Sequence, residues 1–372
     1  MNIVLFYHSL LSDWNHGNAH FLRGVATELI SRGDNVKIYE PKNNWSLSNL
    51  LADYGKEAIR DFNSYYPNLK SIGYNPATID LDEIVADADL VIVHEWNDHS
   101  LVKAIGQKKK KHSFKLLFHD THHRAVTERK SMSAYDLSNY DGVLAFGNCI
   151  RDIYLQEKWV KNAWTWHEAA DTNIFKPLPA ERMEGDLVWI GNWGDEERTK
   201  ELIHFLIEPV KELKLKAKIY GVRYPDHAKK ALKDAGIEYA GWLPNFKAPE
   251  VFAKYRFTVH VPRGPYVASL PGIPTIRPFE ALACGIPLIS APWNDVENLF
   301  TPGKDFLVAR NTTEMKKWMN KILTDDAFVQ ELTAHGLKTI QEKHTCANRV
   351  DELYTICEAL QVNNIKKQTI AQ

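Results

Sequence analysis

At 372 residues the chain is too long for one ordinary core and fits two domains of roughly 150 to 200 residues each. Its 46 basic and 47 acidic residues nearly cancel, and 44% of the chain is hydrophobic, so it reads as a folded globular protein without a large single-sign field, and nucleic acid is not an expected partner. No apolar run reaches the ~18 residues of a membrane-spanning helix, which leaves only peripheral membrane contact. The four cysteines share no C-x-x-C spacing, and the opening MNIVLFYHS has neither a basic n-region nor a cleavage site. A reducing cytoplasm with free thiols is therefore expected. Eleven tryptophans and fifteen tyrosines tilt the reading toward sugar handling, because aromatic planes with N–H or O–H tips line carbohydrate pockets.

The first element is the apolar run NIVLFY (2–7). From Ala19 to Arg32, Phe21, Leu22, Val25, Ala26, Leu29 and Ile30 share one helical face until Gly33 stops it, and NVKIYE (35–40) follows as a second strand. The same grammar returns in DLVIVHEW (89–96), FKLLFHD (114–120), DGVLAFG (141–147) and AWTWHEA (163–169), which predicts a parallel sheet covered on both faces. The Asn-, Tyr- and Ser-rich stretch 41–80 reads as an insertion or a long helix-containing connection. Around 171–186 two prolines interrupt the periodicity, and the alternation restarts with LVWIGN (187–192), AKIYGV (217–222), FTVHVP (257–262) and IPLISAP (286–292). The end, 312–361, is almost wholly helical in pattern. The lysine run 108–111 reads as the basic end of a helix. Two such α/β domains in series put the carboxyl ends of two sheets at one interdomain cleft, where ligands of open α/β sheets bind.

In GIPTIRPFEALACGIPLIS (272–290), Pro278 presets the first turn of a short apolar helix, Glu280 lies inside that turn, and Gly285 ends the helix before the next buried strand. A carboxylate there can accept two vicinal hydroxyls, and the helix N-terminus offers N–H groups to a phosphate. The alternative is that Glu280 only complements the dipole of its own helix.

RPFEALACGIPLIS resembles the nucleotide-sugar site of the group 1, GT-B-fold glycosyltransferases, and IRPFEALACG is closest to their CgeB-like, spore-maturation branch. DTNIFKP (171–177), YAGWLP (239–244) and KDFLVA (304–309) resemble further signatures of that family in the same order. The resemblance implies two Rossmann-like domains: 1–172 for the acceptor, 173–345 for the nucleotide sugar, and 346–372 as a helical segment returning to the first domain. It implies that Glu280 holds the ribose hydroxyls of a UDP or GDP type donor and that the backbone at Trp242 and Leu243 brackets the base. Arg198, Arg223, Arg263 and Arg277 would neutralise the leaving diphosphate. Where retaining members carry a first glutamate, eight positions before Glu280, this chain has Gly272.

The cluster KLLFHDTHHRAV (115–126) follows an apolar strand. By the same resemblance His119 reaches the donor sugar, and Asp120 either orients its ring or receives the acceptor's proton. Two alternatives stand beside this: a zinc site with His119 and His123 at i, i+4 and His122 or Asp120 as third ligand, and a merely structural loop. HSLLSDWNHGNAHF (8–21) offers Gly17 and Asn18 with His16 and His20, and VHEWNDHS (93–100) offers His94, Glu95, Trp96 and Asn97. Gly17, Asn18, His94 and His122 are the candidate sugar or acceptor pocket. The first of these loops lacks G-x-G-x-x-G, so no nicotinamide cofactor is expected. DLDE (80–83) and DADL (87–90) read as structural, which leaves no resident metal, no cofactor beyond the donor itself, and arginines with a helix dipole in the place of Mg²⁺. The expected activity is hexosyl transfer to a hydroxyl of a glycan, lipid-linked sugar or small molecule. A nucleotide-sugar epimerase, a sugar phosphorylase and a non-catalytic binding subunit are the alternatives on the same fold.

Overall fold

A computed structural model describes residues 1–179 and 182–363; positions 180, 181 and 364–372, within the predicted linker and C-terminal segment, lie outside the described residues. Seven parallel strands form one sheet in the order β3-β2-β1-β4-β5-β6-β7: β1 Asn2–Phe6, β2 Asn35–Pro41, β3 Ser71–Tyr74, β4 Leu90–His94, β5 Lys115–Asp120, β6 Gly142–Ala145 and β7 Ala163–Thr165. Six more form a second parallel sheet in the order β10-β9-β8-β11-β12-β13: β8 Gly185–Ile190, β9 Ala217–Tyr220, β10 Glu238–Tyr239, β11 Tyr255–His260, β12 Leu288–Ser290 and β13 Leu307–Val308. The strands at the middle of each sheet read as unbroken apolar runs because helices cover both faces; every residue of LVIVH in β4 is buried.

Both orders reverse direction once. The switch lies between β1 and β4 in the first sheet and between β8 and β11 in the second, and the loops that leave the carboxyl ends of these strands diverge to leave a crevice.

The chain divides into two compact units, residues 1–13, 21–168 and 346–372 as the first and residues 14–20 and 169–345 as the second. The change of unit falls at 168/169 rather than 172/173, and the segment Trp14–His20, which the sequence places in the first domain, is part of the second unit. The helix Cys346–Ala359 belongs to the first unit, where Trp166 Nε1 donates to the Arg349 carbonyl (2.8 Å) and Arg32 Nη1 to Asp351 (2.6 Å).

The stretch 41–80 proves to hold two helices, Trp45–Tyr54 and Glu57–Tyr65, and the edge strand β3. The edge strand escapes periodicity because only Tyr74 of its four residues is buried. Elsewhere the local signals match the elements. Asn311 and Asp325 cap two of the last helices by accepting from the backbone N–H of Glu314 (2.9 Å) and Phe328 (3.0 Å). Asp80 caps the helix Leu81–Val85, and Asp89 accepts from the Asn2 backbone N–H (2.7 Å), so both D-x-D stretches carry structural contacts. Lys108 ends the helix His99–Lys108 and pairs with Asp82 (2.5 Å). Among the described residues no disulfide joins any of the four cysteines, and no helix is long and apolar enough to cross a membrane.

Candidate functional site

In the second unit the helix Ile276–Ala283 starts two residues earlier than Pro278, so Glu280 is its fifth residue and lies past the first turn. This corrects the expectation that Glu280 sits in that turn, and it removes the helix-dipole reading, since only the first turn feels the N-terminal charge strongly. The Glu280 carboxylate is fully buried. Its Oε1 accepts from His20 Nδ1 (2.9 Å) and from Asn245 Nδ2 (2.8 Å), and its Oε2 is ion-paired with Arg277. Asn245 stands two residues after Leu243, so the half-buried Trp242 and Leu243 are on a loop tied directly to Glu280.

The four arginines are held differently. Arg198 follows β8 and crosses the switch point: Nη2 donates to the Asn192 carbonyl (2.5 Å), Nη1 to the Val261 carbonyl beyond β11 (2.5 Å), and its guanidinium lies over the Trp189 ring at 5.1 Å. Burial, with Arg263 and Arg277 nearby, pulls its pKa down to about 10. Arg263 pairs with Glu197 (2.5 Å), and the exposed Arg223 pairs with Asp195 (2.8 Å). Ion pairs this open to water contribute little, so an incoming diphosphate can replace the carboxylates. Arg198, Arg263 and Arg277 thus share one electrostatic neighbourhood, and Arg223 stands at its exposed edge.

Sequence reasoning missed His260, the last residue of β11. It is buried, Nδ1 donates to Ser290 Oγ (2.9 Å), and the Ser290 hydroxyl in turn donates to the Ala291 carbonyl (2.7 Å). Desolvation, helped by Arg198 and Arg277, pushes its pKa down to about 3, so it is neutral. Its Nε2 faces the Thr275 hydroxyl at 3.4 Å. Thr275 precedes the helix at φ 62°, a conformation that costs a β-branched residue on the order of 1–3 kcal/mol and that tends to be retained at binding sites. A histidine inside an apolar strand gave no signal in the sequence.

Gly272 has φ +90°, and a Cβ there would meet Glu297 Cγ and Oε1 at 2.6 Å. A side chain at 272 would be strained by this backbone conformation and would have to displace the Glu297 side chain, which occupies that volume.

In the first unit His119 and Asp120 are the last two residues of β5, so they project to opposite faces of the sheet. The helix that a zinc reading requires at His119 is therefore not there; it begins only at Arg124. His119 is 1% exposed and packed edge-on against Phe21, His94 and Trp166, its Nε2 has no hydrogen-bond partner among the described residues, and burial lowers its pKa to about 3. Asp120 does not orient it: Oδ2 accepts from Tyr154 Oη (2.9 Å) and Oδ1 from the His122 backbone N–H (3.1 Å).

The register that sets His94 beside His119 brings Glu95 to Asp120. Both carboxyls are fully buried, and Arg124 is the nearest cation, with Nε 3.9 Å from Glu95 Oε2. Burial raises Asp120 to about 6, and burial plus the charge of Asp120 raises Glu95 well above the usual carboxylate range. His94 Nε2 bonds Thr121 Oγ1 (2.9 Å), and His122 lies at the edge of the exposed Trp96 ring (5.3 Å). Gly17 and Asn18 belong to the second unit, where the Cβ position of Gly17 is 3.8 Å from Ile276.

Residues 198–355, less than half of the chain, match the family described as Glycosyl transferase-like. No curated protein matches the sequence. Among solved structures, sucrose-phosphate synthase from Thermosynechococcus elongatus is similar with a TM-score of 0.62 at 15% identity, over 97% of this chain and 100% of that one. HepE from Anabaena in complex with UDP-glucose has a TM-score of 0.65 at 11% identity, over 96% and 100%. An α-glucosyltransferase in complex with UDP and a 13-mer DNA has a TM-score of 0.70 at 12% identity, over 96% and 99%. The chain has the GT-B fold, with two Rossmann-like parallel-sheet domains of seven and six strands.

Proposed function

We propose that the protein is a glycosyltransferase that moves a hexosyl group from a UDP or GDP type sugar to a hydroxyl acceptor, in a reducing compartment such as the cytoplasm. The second unit takes the nucleotide and the first the acceptor. The observation that carries this is the buried Glu280 carboxylate, held by Asn245 from the loop of Trp242 and Leu243 and by Arg277 of the phosphate-facing helix. Ribose, base and diphosphate contacts thus radiate from one point. The match of residues 198–355 to a glycosyltransferase family supports the same reading.

Arg263, Arg277 and the N-terminus of the 276–283 helix stabilise the charge that grows on the diphosphate as the glycosidic bond breaks, without a metal ion. Arg198 acts through the loops it laces together. In the first unit the neutral His119 offers a hydrogen bond to a sugar hydroxyl, while Asp120, with a pKa near 6, has the affinity for protons that a general base at neutral pH needs. Retention of configuration and kinship with the CgeB-like branch are part of this proposal.

Calorimetric titration with UDP, GDP and their glucose conjugates tests it. One nucleotide should bind the wild type and not Glu280→Ala; binding that survives the substitution, or a chain that takes neither nucleotide, would count against it. A second reading, a binding subunit without turnover, is favoured by Gly272, which stands where retaining members carry their first glutamate and whose side-chain volume Glu297 occupies. Release of free nucleotide from the bound conjugate on adding an acceptor mixture separates the two.

A further inference from the structure

We infer that His20 is a positioning residue for the nucleotide site: as a neutral imidazole with its proton on Nδ1, it fixes the orientation in which Glu280 meets the ribose. The inference rests on the nucleotide reading of Glu280. His20 and Glu280 are both fully buried within the second unit, 260 positions apart in sequence. The backbone N–H of Asp171 donates to His20 Nε2 at 2.7 Å. A ring nitrogen that accepts carries no proton, and a neutral imidazole has one donor and one acceptor, so the proton is on Nδ1 and is donated to Glu280 Oε1 at 2.9 Å. The ring is also clamped by Phe175, with centroids 3.9 Å apart. Asp171 and Phe175 come from DTNIFKP, whose chemical purpose is otherwise unassigned.

With His20 and Asn245 both donating to Oε1, the carboxylate is fixed in rotation and Oε2 faces Arg277. Oε2, paired with the Arg277 guanidinium, keeps a second lone pair, and that is the capacity a ribose hydroxyl uses. His20 adds this orientation without neutralising the charge, as a cation in its place would. The segment that carries it is anchored a second time, by Asn192 Nδ2 donating to Asn15 Oδ1 (2.5 Å).

Two substitutions divide the ring's bonds. In His20→Asn the amide falls near Nδ1 and can still donate to Glu280; in His20→Gln it falls near Nε2 and can accept only from Asp171. Calorimetry with UDP and GDP on the purified full chain should find His20→Asn within about threefold of the wild-type Kd and His20→Gln weaker by about tenfold or more, the loss of one hydrogen bond to a charged group. Equal effects, or none, overturn the inference. A wild type that binds neither nucleotide overturns the nucleotide reading and this inference with it, so the two failures are distinguishable. Independently of either variant's stability, a long-range 1H–15N spectrum of histidine-labelled wild type should contain a neutral Nδ1–H signal that His20→Asn lacks; an Nε2–H pattern for that residue overturns the assignment.

Discussion

Glu280 and Glu95 are both fully buried glutamates in equivalent grammar, each near the carboxyl ends of a parallel sheet, yet they meet opposite surroundings. Glu280 faces donors only: an imidazole N–H, an amide and a guanidinium. Glu95 faces another acid, Asp120, with Arg124 Nε 3.9 Å away and Thr121 donating its backbone N–H (3.1 Å). The difference teaches that burial raises a carboxyl's hold on its proton and that the neighbours, donors at one site and another acid at the other, offset or add to that rise.

The same substitution should therefore have opposite signs at the two places. Glu280→Gln removes the carboxylate opposite the half-buried Arg277 and presents an amide N–H to donors; it should cost about 3 kcal/mol of unfolding free energy in urea. A loss below about 1 kcal/mol would mean that the cluster is not coupled as the distances suggest.

For the acid pair the sign follows from protons. Asp120 rises from an ordinary value of 3.8 to about 6, so the folded state binds this proton more tightly than the unfolded chain. The stability so gained is complete below about pH 4 and is lost as pH rises through about 6. Glu95→Gln removes the like charge, so at pH 8 it should be more stable than the wild type by about 1–2 kcal/mol and at pH 4 should show no such gain. Melting temperatures taken from pH 4 to 8 check this; parallel curves for the two proteins would sink the pair. The smallest effect belongs to Tyr154→Phe, which removes the phenol that stabilises charged Asp120. It should cost about 1 kcal/mol at pH 8 and move the midpoint of the same pH curve upward.

Most strands were legible because a buried parallel strand leaves an apolar run, as in VLAF of β6 or KLLF of β5. β3 and the two-residue β10 were not, since an edge strand with one face in water carries no such run. Glu280, Arg198, Arg263 and Arg277 were legible as a group from motif and loop position. His260 and Glu297 were not: one hides in an apolar strand, and the other matters only because a glycine 25 positions earlier leaves it room.

By itself the sequence determined the local elements, their caps and the division into two α/β halves, because turn chemistry and hydrophobic period act over a few residues. Even the divergence of His119 and Asp120 is implicit in the period of a strand. Which carboxyl meets a donor and which meets another acid was decided only in the tertiary structure. Those meetings depend on strand register, as between β4 and β5, and on chain segments 260 positions apart, as between His20 and Glu280. No local preference encodes either distance, and in a buried site the proton affinity of a carboxyl is set by its burial and its neighbours together.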